Sequence, residues 1–130
     1  MNGRHLLLDT NCIVALWATD PSAIELVANA TKCHLPVVVI GELYYGAYRS
    51  GRVQENLNKV DELLGEFKVL GCNVETGQIY GRLKHQLRMM GKPIPENDLW
   101  IGAIAKQHNL LVATKDHHFQ AIEAVETVGW

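Results

Sequence analysis

Leu6-Leu7-Leu8 is an unbroken apolar run that stops at Asp9-Thr10-Asn11. Three consecutive leucines do not alternate, so a strand built from them has both faces covered, as in a parallel sheet flanked by helices. The polar trio caps and opens a helix that continues through Ile13, Val14, Leu16 and Trp17. A second helix begins at Asp20-Pro21-Ser22, with proline near the first helical position and Ile24, Val27 and Ala28 spaced to face a core. His34-Leu35-Pro36 then leads into Val37-Val38-Val39-Ile40, a β-branched run that reads as the second buried strand. Glu42 follows at once, opening a helix with Leu43, Ala47 and Tyr44 inward that ends near Ser50-Gly51.

Val53, Leu57, Val60, Leu64 and Phe67 recur at helical spacing with charged and amide residues between them. Residues 67–70 read as a short third strand. Over residues 76–90 the apolar set is Ile79, Leu83, Leu87 and Met90, and the opposite face carries Arg82, His85 and Arg88. A basic row of this kind is ordinarily a solvated helix face, and it is also a candidate contact for RNA phosphates. A two-proline turn over residues 91–98 leads into a helix over 99–108 that is apolar nearly all round and therefore belongs in the interior. Residues 110–113 form the next buried strand, ended by Thr114-Lys115-Asp116, and a short helix over 119–124 and an edge strand over 125–128 complete the chain. Strands alternating with helices predict an α/β fold, a three-layer α/β/α sandwich with a mostly parallel sheet, as one domain over residues 1–130.

A hydrophobic share of 48% with 20% charged residues fits a soluble globular chain. Asp9, Thr10 and Asn11 interrupt the apolar run that a signal peptide needs, and no stretch reaches the ~20 apolar residues of a membrane span, so a cytoplasmic protein with no membrane partner is expected. Cys12, Cys33 and Cys72 form no CxxC pair, which favours buried thiols over a disulfide framework or a zinc site. The formal charge of −2 argues against a generally basic nucleic-acid binder, but assigning four of the 14 acids to one site leaves 10 against 12 Lys and Arg. Net charge therefore does not decide the partner.

Asp9, Glu42 and Asp116 each follow a strand in this reading, and Asp98 opens the buried helix. If the strands are parallel and adjacent, the four carboxylates emerge on one edge, where open α/β sheets bind ligands. At an effective dielectric near 20, two charges about 4 Å apart cost on the order of 4 kcal/mol. Raised pKa values relieve this, and so does a hard divalent cation with oxygen ligands, Mg²⁺ or Mn²⁺ rather than zinc. Such an ion can polarise a phosphodiester oxygen and acidify water. Taken singly, Asp9 is also a helix cap, Glu42 a solvated helix residue, Asp98 a first-turn acid and Asp116 a turn former. Their conjunction is what favours a shared site. His117 and His118 are read as surface, and Tyr44 and Tyr45 as one packed and one exposed.

The segments Leu6-Leu7-Leu8-Asp9-Thr10-Asn11, Ile40-Gly41-Glu42-Leu43-Tyr44-Tyr45-Gly46, Asn97-Asp98-Leu99-Trp100-Ile101-Gly102-Ala103 and Leu111-Val112-Ala113-Thr114-Lys115-Asp116-His117-His118-Phe119 together resemble the PIN-domain family, and more narrowly its VapC-type toxin ribonucleases. The resemblance implies that Asp9, Glu42, Asp98 and Asp116 are catalytic Mg²⁺/Mn²⁺ carboxylates, and that Thr114 and Asn11 hold them by hydrogen bonds. It also implies a metal-dependent endoribonuclease acting on structured RNA, a homodimer, and a cognate antitoxin whose tail occupies the catalytic groove. Two alternatives stand beside it: a PIN nuclease that processes RNA without an antitoxin, and a protein-binding module that uses the same acids only as caps. A phosphatase of the dehalogenase kind fits less well, because it wants a second Asp where this chain has Asn11.

Overall fold

The computed structural model describes residues 4–122 and 124–130. Five parallel strands, β1 (His5–Leu8), β2 (Lys32–Pro36), β3 (Lys68–Leu70), β4 (Leu111–Ala113) and β5 (Thr127–Val128), lie in the order β3-β2-β1-β4-β5. Helices α1 (Thr10–Trp17), α2 (Pro21–Ala28), α3 (Val37–Tyr48), α4 (Val53–Glu66), α5 (Val74–Met89) and α6 (Glu96–His108) connect them, and a 3₁₀ turn spans His117–Ala121. This is the expected α/β/α arrangement. Leu6, Leu7 and Leu8 are completely buried at the centre of the sheet, in register with Cys33 and His34 on one side and Leu111, Val112 and Ala113 on the other.

Local chemistry sets the helix ends. Asp20 accepts hydrogen bonds from the Ser22 and Ala23 amides at 2.9 and 3.3 Å, with Pro21 pre-set at the first position of α2. Asn73 and Thr76 form a reciprocal capping box that starts α5 at Val74, two residues before the apolar periodicity suggests. Asn109, with a left-handed φ of 54°, ends α6.

Five expectations are corrected. Ile24 and Ala28, expected to face the core, are exposed, and Ala23 is the buried residue of α2. Val37-Val38-Val39-Ile40 is the first turn of α3, and the second strand is the less apolar Lys32–Pro36 before it. Pro36 closes the strand in extended geometry, and Val39, Ile40, Leu43 and Ala47 then bury one helical stripe, so tertiary burial overrides the β-preference of the run. Met90 leaves the core set, as it caps α5 and is 48% exposed, while Ile79, Leu83 and Leu87 are buried. Of the thiols only Cys12 is buried, and Cys72 is exposed. The last helix is a 3₁₀ turn that starts earlier, at His117, and the edge strand narrows to Thr127–Val128; residue 123, inside the anticipated helix, lies outside the described residues.

From β1 the chain goes to β2 and β3 on one side, and it later fills β4 and β5 on the other. The strand order therefore reverses between β1 and β4, and the carboxyl ends of these two strands flank a topological switch point. No helix among the described residues is long and apolar enough to cross a membrane.

Candidate active site

Asp9 leaves β1 as the N-cap of α1 and is 5% exposed. Its Oδ1 accepts the Thr10 amide at 2.8 Å and its Oδ2 accepts the Thr114 hydroxyl at 2.7 Å. Burial pushes its pKa above the ordinary value; the Thr114 and Thr10 bonds oppose that, and the nearby Asp116 charge adds to it. Thr114, 4% exposed just past β4, also accepts the Asp116 amide at 2.9 Å and the Asn11 side-chain amide at 3.4 Å. One hydroxyl thus ties together three of the residues singled out from the sequence.

Glu42 arrives from elsewhere. As the sixth residue of α3 it stands more than a turn past β2 rather than directly after the strand as expected, too far from the helix N-terminus for that end to stabilise its charge. It is held by the Thr10 hydroxyl, which donates to its Oε1 at 3.2 Å. Burial raises its pKa most, with the charges of Asp9 and Asp98 adding, while hydrogen bonds from Thr10 and Asn97 pull it down. Asp98, in the first turn of α6, is likewise raised by burial first and then by Asp116 and Asp9, with the His118 hydrogen bond opposing.

Asp116 caps the 3₁₀ turn by accepting the His118 amide at 2.9 Å. That turn brings His118 back over the acids, and its Nδ1 lies 2.8 Å from both Asp98 Oδ2 and Asp116 Oδ1. The reading of His118 as uninvolved surface is therefore corrected, while His117 is exposed as expected. The 3₁₀ geometry is what separates the two neighbours, and the sequence offered no periodicity from which to see it. His118 is pushed upward in pKa chiefly by its bond to Asp98. Sequence reasoning also missed Thr10 as a support, because its hydrogen bond to Glu42 crosses between elements and leaves no local pattern.

The tightest potential ligand group among the described residues is Asp98, Asp116 and His118, whose donor atoms all lie within 4.8 Å of one another. Asp9 and Glu42 are not members of this trio; Thr114 links Asp9 to the Asp116 backbone, and Thr10 links Asp9 to Glu42. Asn11 Oδ1 is shielded from solvent and accepts no hydrogen bond from the described residues. Four carboxylates and one histidine nitrogen, with Asp9, Glu42 and Asp98 raised in pKa by burial and then by neighbouring charge, beside an unsatisfied buried acceptor, fit a hard divalent cation. The basic row is less integrated. Arg82, His85 and Arg88 are exposed on α5, and no described hydrogen bond or ion pair links them to the acids. Arg88 does line a cavity of about 450 Å³ with Lys84, Leu87, Ile94, Glu96 and Leu99, at the start of α6.

A parallel α/β sheet with carboxylates converging from four separate elements on its switch point defines a class of folds that gather acids at the strand ends. Residues 6–125 match the PIN domain family model, and the chain belongs to that family. It is 28% identical over 127 residues to "Ribonuclease VapC2" of Haemophilus influenzae, spanning 95% of this chain and 96% of the relative. It is 24% identical over 127 residues to the "tRNA(fMet)-specific endonuclease VapC" of Shigella flexneri, again over 95% and 96% of the two chains. The fold superposes with a TM-score of 0.88 on a chain of the Rickettsia felis VapBC2 complex bound to a promoter DNA fragment, at 27% identity and covering 97% and 98% of the chains.

Proposed function

We propose that this chain is a metal-dependent endoribonuclease that hydrolyses RNA phosphodiester bonds and serves as the toxin of a type II toxin–antitoxin pair. The observation that carries the reading is the gathering of Asp9, Glu42, Asp98 and Asp116, from β1, α3, α6 and the turn after β4, on one rim, where Thr114 links Asp9 to the Asp116 backbone, Thr10 links Asp9 to Glu42, and His118 joins Asp98 to Asp116. The similarity to ribonucleases named VapC, and to a chain from a VapBC complex, supports both the reaction and the antitoxin.

Asp9, Glu42 and Asp98 would hold Mg²⁺ or Mn²⁺, with Asp116 placed to support a second ion or a water. When bound, such an ion polarises a phosphoryl oxygen and lowers the pKa of water. The protein's part is orientation. Thr114 and the Thr10 amide fix both oxygens of Asp9, and the Thr10 hydroxyl aims Glu42 Oε1. Thr114 anchors the Asp116 backbone, and Asn11 steadies Thr114. His118, bridging Asp98 and Asp116, shares positive charge with the acids when protonated. The RNA backbone approaches along Arg82, His85 and Arg88. The protein acts in the cytoplasm as a homodimer, and the cognate antitoxin covers the rim.

Asp9→Asn tests the reading. It keeps the shape of the side chain and an acceptor for Thr114 but removes a charge, so cleavage of RNA in Mg²⁺ should disappear while the circular dichroism spectrum is preserved. Retained magnesium-dependent cleavage sinks the assignment. Expression of the gene alone should arrest growth, with rescue by the small gene beside it; growth without arrest points instead to an RNA-processing nuclease.

A further inference from the structure

Away from the rim, α5 and α6 share a second set of specific contacts. Tyr80 and Lys84, one turn apart on α5, meet Glu96 and Trp100, one turn apart on α6. The Tyr80 and Trp100 rings are stacked, with centroids 3.9 Å apart and planes 9° from parallel. Tyr80 Oη donates to Glu96 Oε2 and Lys84 Nζ donates to Glu96 Oε1. Lys84 Nζ also donates to Tyr80 Oη at 3.2 Å and lies 5.5 Å from the centre of the Tyr80 ring. Each member therefore touches at least one other, and Tyr80 touches all three.

Asp98 lies on α6 midway between Glu96 and Trp100. The start of this helix has no capping side chain, because Pro95 occupies the N-cap and makes no such bond. Besides the His118 bond to Asp98 itself, the contacts that grip the first turn from outside come from α5. We infer that Tyr80, Lys84, Glu96 and Trp100 are positioning residues: by fixing the rotation of the first turn of α6 they aim the Asp98 carboxylate at the rim and so set its affinity for a divalent cation. Tolerances at such sites are about 0.5 Å and 10–20°, so even a small rotation of this turn matters. The Lys84–Glu96 pair is solvent-exposed, with 38% and 55% of the side chains accessible, and alone contributes little to stability. Combined with a stacked aromatic pair it supplies directional restraint. The inference rests on the reading of the acids as metal-holding, and its test separates the two.

Mn²⁺ is titrated by calorimetry into metal-free full-length protein, comparing wild type with Asp98→Asn, Glu96→Ala, Tyr80→Phe, Lys84→Met and Lys84→Arg. Substitutions of residues that orient metal ligands weaken binding by about 10- to 100-fold. At one remove from the ligand, Glu96→Ala is expected at the lower end, about 10-fold, with several-fold losses for Tyr80→Phe and Lys84→Met and recovery in Lys84→Arg. Lys84→Met separates restraint from simple electrostatics. Deleting a cation from the same domain would tighten Mn²⁺ binding if charge alone mattered, whereas a loosened turn weakens it. Tighter binding by Lys84→Met, or unchanged binding by Tyr80→Phe and Glu96→Ala while Asp98→Asn loses it, overturns the inference and leaves the metal reading standing. No Mn²⁺ uptake by folded wild type overturns both. Should Glu96→Ala fail to fold, Tyr80→Phe and Lys84→Met, which keep the ring stack, decide the matter.

Discussion

Thr114→Val isolates the hydroxyl on which the rim depends. Valine preserves the shape of a side chain that is 4% exposed, but it deletes the donor to Asp9 Oδ2 at 2.7 Å and the acceptor for the Asp116 amide at 2.9 Å. A hydrogen bond to a charged group contributes ~1.5–3 kcal/mol, and a buried amide left without an acceptor costs ~1 kcal/mol or more. The expected loss is therefore about 3 kcal/mol, a large part of a domain stability of ~5–15 kcal/mol. For a chain of this size it corresponds to a fall of roughly 10 °C in Tm.

The loss carries a pH signature. The Thr114 bond favours the ionised form of Asp9, whose folded pKa already lies above the ordinary 3.8 because of burial. An acid raised in the folded state leaves stability intact below its unfolded value, and stability is lost as pH rises through the folded one. Without the bond the folded value climbs further, so the gap between variant and wild type widens as pH rises above the wild-type folded value. Urea unfolding in a metal chelator, followed by circular dichroism as a function of pH, measures it. A gap that is absent, or constant with pH, refutes the hydroxyl as the support of the Asp9 charge.

Three further outcomes follow. Burial raises Asp9, Glu42 and Asp98 in the folded state, and Asp98 raises His118. For acid and base alike, stability is then lost as pH rises through the raised values, so the metal-free protein is expected to melt lower at pH 8 than at pH 5, and millimolar Mg²⁺ to stabilise it more at pH 8; a metal-free Tm that climbs over this interval contradicts the charge-crowded rim. Thr10→Val removes the 3.2 Å bond to Glu42 and should lower kcat by about 10-fold with KM for RNA unchanged, whereas a change in KM alone makes Thr10 a binding residue instead. Arg82→Ala with Arg88→Ala, in an Asp9→Asn background that prevents cleavage, should reduce the salt slope of single-stranded RNA binding by about 0.7 for each phosphate no longer neutralised, measured by fluorescence anisotropy. An unchanged slope leaves the row as a solvated helix face.

The layout of the fold was readable because its central strand is so apolar. Leu6-Leu7-Leu8 cannot be half wet, and that run, Leu110-Leu111-Val112-Ala113 and the helices between them suffice for a parallel sheet with both faces covered. Where the period was ambiguous the reading failed. Four β-branched residues after Pro36 satisfy a buried strand and a buried helix turn equally well, and what decides for α3 is the stripe continued by Leu43 and Ala47, together with the pairing of Lys32–Pro36 between β1 and β3.

The same distinction separates the acids from their supports. Asp9, Asp98 and Asp116 lie next to strand ends or helix starts, so chain topology carries them to the switch point and one-dimensional reasoning finds them. Glu42 was located despite the misassigned strand, because moving the helix start forward keeps it on the buried side of α3, near Thr10. Thr10 and His118 act across long gaps in sequence, Thr10 over 32 residues to Glu42 and His118 over 20 to Asp98. Nothing in local composition marks a threonine that supports a distant glutamate, or tells which of two adjacent histidines a 3₁₀ turn will swing over a carboxylate. The acids therefore answer to topology, whereas the groups that make their charge bearable answer to packing, and only coordinates supply that.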